Sequence, residues 1–165
     1  MNKYYAAVGW GLLITTFINH FLSLPANAAD SLVIRNKPQP NESACLADVI
    51  RASHWWTPTP QFADEMMRIA KVARARLNAK ERIAYLFLFE GDGWCGTAGC
   101  PMLIGERQDD GRCRLLYDGG GDEKVTVLPM RDYGYRRLYL PCEVRFNGLH
   151  YRQIRSECPT VDVPR

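Results

Sequence analysis

Six cysteines (Cys45, Cys95, Cys100, Cys113, Cys142 and Cys158) follow an N-terminal segment built like an export signal. In that segment Lys3 supplies a positive charge, residues 4–18 are apolar apart from Thr15 and Thr16, and Ala26-Asn27-Ala28 places small residues where a signal peptidase reads. The apolar stretch is shorter than the roughly 18–20 residues that span a bilayer, so residues 1–29 are expected to be a cleaved signal peptide rather than an anchor. An even number of cysteines in a small exported chain is the pattern of a disulfide framework. The two features together predict a periplasmic or secreted protein without a membrane span after cleavage.

Six thiols allow about 15 pairings, and sequence does not choose among most of them. One pair stands out. Cys95 and Cys100 are separated by Gly96-Thr97-Ala98-Gly99, and two glycines can take the backbone angles that bring so close a pair together. Cys142–Cys158 is the preferred second pair, which leaves Cys45–Cys113.

The hydrophobic content of 47% excludes a disordered chain. The net charge is +3, and +2 once residues 1–29 with their single Lys3 are removed. That balance lacks the dense basic footprint of a nucleic-acid binder, so no nucleic-acid partner is expected.

Periodicity divides the remainder. Residues 30–43 contain Pro38 and Pro40, show no clear period and read as an irregular arm; residues 44–165 read as one domain. Residues 45–56 suit a short helix with Ser43 as cap. Thr59 and Pro60 open a second helix expected over 60–78, with Phe62, Met66, Ile69, Ala73 and Leu77 in one stripe. From Ile83 the period falls to two. Ile83–Phe89 is a continuous apolar run of strand length, which predicts a central strand covered on both faces. Residues 99–107, 112–118 and 124–130 are further strands, and the triple glycine Gly119-Gly120-Gly121 reads as a flexible tip between two of them. Over 137–146 the even positions are apolar. Asn147-Gly148 then suggests a two-residue turn that sets Phe146 opposite Leu149, Val144 opposite Tyr151 and Glu143 opposite Arg152. The expected fold is α+β: one or two N-terminal helices on an antiparallel sheet of about five or six strands, stapled by disulfides.

The loop from Trp94 to Cys100 is the most distinctive segment for chemistry. A disulfide-pinned loop is the first reading. A redox centre usually has two residues between its cysteines and a helix start, whereas four lie between these and Gly99-Pro101 opposes a helix. Zinc held by Cys95, Cys100 and Cys113 lacks the paired short spacings of strong sites. A cysteine hydrolase would use Cys95 as nucleophile and His150 as base, but Cys100 is a ready disulfide partner for that nucleophile. His54 precedes Trp55-Trp56 and is expected to pack beside them. No nucleophile elbow, phosphate loop or dinucleotide fingerprint occurs, and no cofactor or metal is expected.

Tyr133, Tyr135, Tyr139 and Tyr151 lie amid Arg131, Arg136, Arg137, Arg145, Arg152 and Arg155, residue types enriched in protein interfaces. The expected binding residues are Trp94, Gly96, Thr97, Ala98, Gly99, Tyr135, Arg137, Tyr139 and Arg145. The corresponding function is that of a non-enzymatic protein-binding protein, such as an inhibitor or immunity protein against a cell-wall hydrolase. The partner would be another envelope or secreted protein. The alternatives are the cysteine hydrolase and a structural component of an envelope complex.

Four stretches within residues 83–155 resemble a group of small exported bacterial proteins without an assigned activity. They are Cys95-Gly-Thr-Ala-Gly-Cys-Pro-Met-Leu-Ile, Val127-Leu128, Tyr133-Gly-Tyr-Arg-Arg-Leu and Arg145-Phe-Asn-Gly-Leu-His-Tyr. The resemblance implies export and a β-rich fold and supplies no site. The chain departs from the group's pattern at Pro101 and Met102, where the pattern has threonine and leucine, and in its additional cysteines.

Overall fold

The computed structural model describes residues 29–54, 59–96, 99–140 and 142–154. The expected signal segment, Trp55-Trp56, Thr97, Ala98, Arg155 and Cys158 lie outside the described residues. Within them the elements run β1 (Asp30–Val33), α1 (Pro40–Ala52), α2 (Pro60–Ile69), β2 (Ala70–Arg76), β3 (Ile83–Phe89), β4 (Cys100–Arg107), β5 (Cys113–Gly121), β6 (Lys124–Asp132), β7 (Tyr135–Tyr139), β8 (Glu143–Phe146) and β9 (Tyr151–Gln153).

These strands form two antiparallel sheets, ordered β2-β3-β4-β5 and β1-β6-β7-β8-β9. Every residue of β3 after Ile83 is buried, which a strand achieves only with a layer on each side. Ala84, Leu86 and Leu88 join Val125, Val127, Leu138, Val144 and Phe146 of the five-stranded sheet. Tyr85, Phe87 and Phe89 join Leu46, Val49 and Ile50 of α1 and Met66 and Ile69 of α2. The result is three layers: helices, a four-stranded sheet and a five-stranded sheet. Each large apolar side chain so buried contributes about 1.5–3 kcal/mol.

The α+β class and the two-sided β3 match the sequence reading, but nine strands in two sheets replace the expected single sheet of five or six. Three segments account for the extra strands: residues 30–33, residues 70–76 and the run 137–146. Residues 30–43 are not an irregular arm: β1 pairs with β6 from Asp30↔Val127 to Val33↔Lys124. Helix α1 starts at Pro40, five residues before the expected start, and the Gln39 N–H donates to Glu42 Oε2 at 2.6 Å. Proline suits the first helical position because its missing N–H has no intrahelical acceptor there.

The second helix ends at Ile69, and Ala70–Arg76 is a strand paired with β3 along its whole length. Positions four apart share a face in a helix and in a strand alike, so Ala73 and Leu77 fit both patterns. The open edge of β3 decides between them by offering a full ladder.

The run 137–146 is two strands, paired as Leu138↔Val144, with the Leu140 N–H donating to Cys142 O across the turn. Beyond it, Asn147 Oδ1 accepts from the N–H groups of both Leu149 and His150 at 3.0 Å, which makes a four-residue turn. Tyr151 therefore faces Phe146, and Arg152 faces Arg145. A slip of two residues leaves each side chain on its expected face.

The triple glycine is no free tip: it lies in β5 opposite Cys100, Pro101 and Met102. A Cβ on Gly121 would overlap the Met102 side chain, so the close packing there requires glycine.

Two of the expected disulfides are present, Cys45–Cys113 and Cys95–Cys100. Cys142 is also bonded, and its expected partner Cys158 lies outside the described residues. Cys45–Cys113 closes a separation of 68 residues and fixes α1 on β5, where it restricts the unfolded chain by about 4 kcal/mol. Asp48 Oδ2 accepts from the Cys113 N–H at 2.9 Å, and Asp118 Oδ2 accepts from the Ser53 hydroxyl at 2.6 Å, so the second half of α1 and its C-cap are held to the same strand.

Gly105 forms the seat of α1: an added Cβ would stand 2.6 Å from Val49 Cγ1 and 3.1 Å from Cys45 Sγ. Gly105→Ala is therefore expected to destabilise the domain by about 1–3 kcal/mol, read as a lower urea midpoint; an unchanged midpoint would mean that the helix does not rest on this backbone. Burial pushes the Tyr117 hydroxyl up to about 12. The contribution of Tyr117 to stability should be constant below pH of about 10, where the phenol is neutral folded and unfolded, and be lost as pH rises from about 10 to about 12. Chemical denaturation across that range, compared with Tyr117→Phe, reads the effect directly.

Candidate functional site

Strand register sorts the connections into two poles. The Cys95–Cys100 loop, the β5–β6 connection and the β7–β8 turn lie at one; the β2–β3, β4–β5, β6–β7 and β8–β9 turns lie at the other.

At the first pole the bond between Cys95 and Cys100 is reinforced by Gly96 and Gly99, which exchange N–H···O bonds of 3.0 Å each. Gly99 has φ 93, and a Cβ there would overlap the carbonyl of Gly121. Trp94 anchors the loop's start by stacking on Phe62 at 4.9 Å, with Phe89 at 6.3 Å. Thr97 and Ala98, expected at the tip, lie outside the described residues. The loop reading holds for the cysteines. Cys95 carries no thiol to serve as nucleophile, and Cys100 and Cys113 are bonded to Cys95 and Cys45. His150, the expected base, sits in the β8–β9 turn at the other pole, where its Nε2 accepts from Arg152 Nε at 2.9 Å.

The tyrosine–arginine constellation divides. Arg137, Tyr139 and Arg145 share the outer face of the five-stranded sheet, which neither described helix covers. Arg137 is gripped by Asp132, at 2.8 and 3.1 Å, and by Glu143 at 3.2 Å; Arg145 Nε donates to the same Glu143 oxygen at 2.7 Å. The hydrogen bonds that Arg137 donates to Asp132 raise its pKa further. Tyr139 is 46% exposed and Met130 47%.

Tyr135 belongs to the second pole instead. There all four turns meet around a cleft of about 350 Å³, bordered by Asn78, Lys80, Arg82, Gln108, Arg114 and Tyr133, with Tyr135, Phe146 and Gly148. Beneath it lies Glu106, 0% exposed. Glu106 pairs with Ala84, and Ala84 faces the space between the sheets, so its carboxylate points inward. Four side chains meet that carboxylate. Asn78 donates to Oε2, and Gln108 Nε2 and the Tyr135 hydroxyl donate to Oε1 at 3.0 Å each. Arg114 Nη2 stands 3.7 Å from Oε1 and donates to the Tyr135 hydroxyl at 2.6 Å. Tyr135 stacks on Phe146 at 4.0 Å, and burial raises the pKa of its phenol. The sequence reading named Tyr135 and missed the rest. A glutamate after Met102-Leu103-Ile104 in a two-sided strand was the available signal, because one of its two faces had to be an interior.

No family model, curated protein or solved structure matches this chain.

Removing the amide of Asn78 leaves a buried carboxylate short of a donor, which costs about 1–3 kcal/mol. Asn78→Leu should lower the melting temperature accordingly, while Lys80→Met in the same exposed turn should stay within about 0.5 kcal/mol of the parent. Equal melting temperatures for both variants would deny Glu106 a structural dependence on Asn78.

Proposed function

We propose that this chain acts outside the cytoplasm, in the periplasm, as a non-enzymatic protein-binding domain that inhibits, or confers immunity to, a cell-wall hydrolase. The disulfides suit an oxidising compartment. No described helix is long and apolar enough to cross a membrane.

The observation that carries the reading is the doubly fixed loop. A covalent bond between Cys95 and Cys100, the paired Gly96 and Gly99, and Trp94 wedged on Phe62 fix the loop's base before any partner arrives. Ordering cost on binding is thereby reduced, and a small projection can fill a partner's cleft with little entropic loss. The cysteine-hydrolase alternative loses its nucleophile to the same bond. A second reading, as a structural member of an envelope complex, draws on the sheet face that neither described helix covers, where Tyr139 and Met130 are exposed beside the fixed Arg137 and Arg145.

Two measurements test the proposal. Under denaturing conditions the exported protein should show no free thiol; a reactive Cys95 would return the hydrolase to contention. The purified protein should slow the clearing of cell-wall suspensions by envelope hydrolases, and Thr97→Arg should abolish that effect while Tyr139→Asp leaves it intact. Loss with Tyr139→Asp alone would move recognition to the sheet face, and no slowing at all would remove the inhibitor reading.

A further inference from the structure

The cleft at the second pole carries charge that the fold does not use. Lys80, Arg82 and Arg114 border it, and the carboxylates paired with this set are the buried Glu106 and Asp109, which holds Arg82 at the rim. One positive charge remains in excess. Lys80 is exposed and forms no ion pair among the described residues. Arg114 uses a single nitrogen, Nη2, toward both Tyr135 and Glu106. Its side chain is 43% exposed, and its other N–H donors meet no acceptor among the described residues. The guanidinium also lies 5.9 Å from the Tyr135 ring centre, so one edge is fixed and another is available. A guanidinium held in this way presents parallel donors that match a planar carboxylate.

A second feature marks the same place. Tyr133 has φ 50 and is followed by Gly134 with φ 82, in the two-residue turn between β6 and β7. Asparagine or glycine normally takes such a position, and a bulky residue there costs about 1 kcal/mol or more. The strained tyrosine is 77% exposed at the cleft's border, and burial in the domain offers no return for the strain. An aromatic ring beside unpaired cationic donors suits a ligand with an apolar or planar group next to its charge.

We propose that this cleft binds a peptide-class carboxylate, either a chain terminus or an acidic side chain, held by Arg114 and Lys80 with Tyr133 against the adjoining group. The single excess charge matches one carboxylate rather than a phosphate dianion, and a volume of about 350 Å³ takes one or two residues of a peptide. The site is separate from the loop at the opposite pole, and its test does not depend on the inhibitor reading.

Amide resonances of Lys80, Tyr133 and Gly134 in the intact mature protein report on the cleft. The probes are N-acetyl-phenylalanine, its neutral amide, the α-amide of N-acetyl-aspartic acid, and inorganic phosphate. Saturable shifts with either carboxylate and none with the neutral amide are expected, and whichever carboxylate binds more tightly identifies the source. Arg114→Lys keeps the charge and loses the fork, and should weaken binding about tenfold. Lys80→Met, in an exposed turn, should weaken it about threefold at low salt. Equal binding of the neutral amide, tighter binding of phosphate, no saturable shift with either carboxylate, or undiminished affinity in both variants would each overturn the proposal.

Discussion

Covering both faces of β3 is the requirement from which the rest of the architecture follows. A strand that reads Ala84-Tyr85-Leu86-Phe87-Leu88-Phe89 presents three apolar side chains to each side, and one additional layer would leave half of them in water. The helices supply one cover and the five-stranded sheet the other. That demand draws Ala70–Arg76 into a ladder with β3, although its sequence suits a helix, and it places α1 over the bare backbone of Gly105. The Cys45–Cys113 bond then fixes a position already selected by packing. The helical layer is thus held by shape, by Asp48 and Asp118, and by a covalent link to one strand.

The two poles differ in chemical character because different connections end there. One carries the cystine loop, whose stiffness comes from the Cys95–Cys100 bond and from backbone pairing across Gly96 and Gly99. The other gathers four turns above a carboxylate with no exposed surface. A carboxyl group so enclosed needs its donors from the protein itself, and Asn78, Gln108 and Tyr135 provide them from three separate connections or strands. Glu106 therefore ties the turns to one another, and two of the cations above it are linked to that network, Arg114 through the Tyr135 hydroxyl and Arg82 through Gln108.

Much of this was readable in the chain, for identifiable reasons. β3 matched residue for residue because a continuous apolar run seven residues long is too short for most helices and too apolar for a loop. Cys95–Cys100 was legible because its loop is short and glycine-bearing. The boundary at Ile69 was not, since the four-residue spacing of Ala73 and Leu77 is common to both periodicities and only the neighbouring edge of β3 resolves it. The β8–β9 turn was displaced by a side-chain effect, the double acceptance by Asn147 Oδ1, which a dipeptide rule does not include. Glu106 escaped because its meaning depends on four partners scattered from residue 78 to residue 135, brought together only by two sheets folding on each other.

The seam along β2 has a consequence for a chain of this kind. Asn36 bridges to Val72 and Asn78 to Tyr135, with the N–H of Val72 bonded to Asn36 O at 2.7 Å and that of Arg136 to Leu77 O at 2.7 Å. Neighbouring backbone thus masks both ends of a strand that would otherwise form an open margin of the four-stranded sheet. Strand margins left bare recruit other chains into intermolecular ladders. Covering that margin with the chain's own backbone removes a template for such pairing within the domain itself.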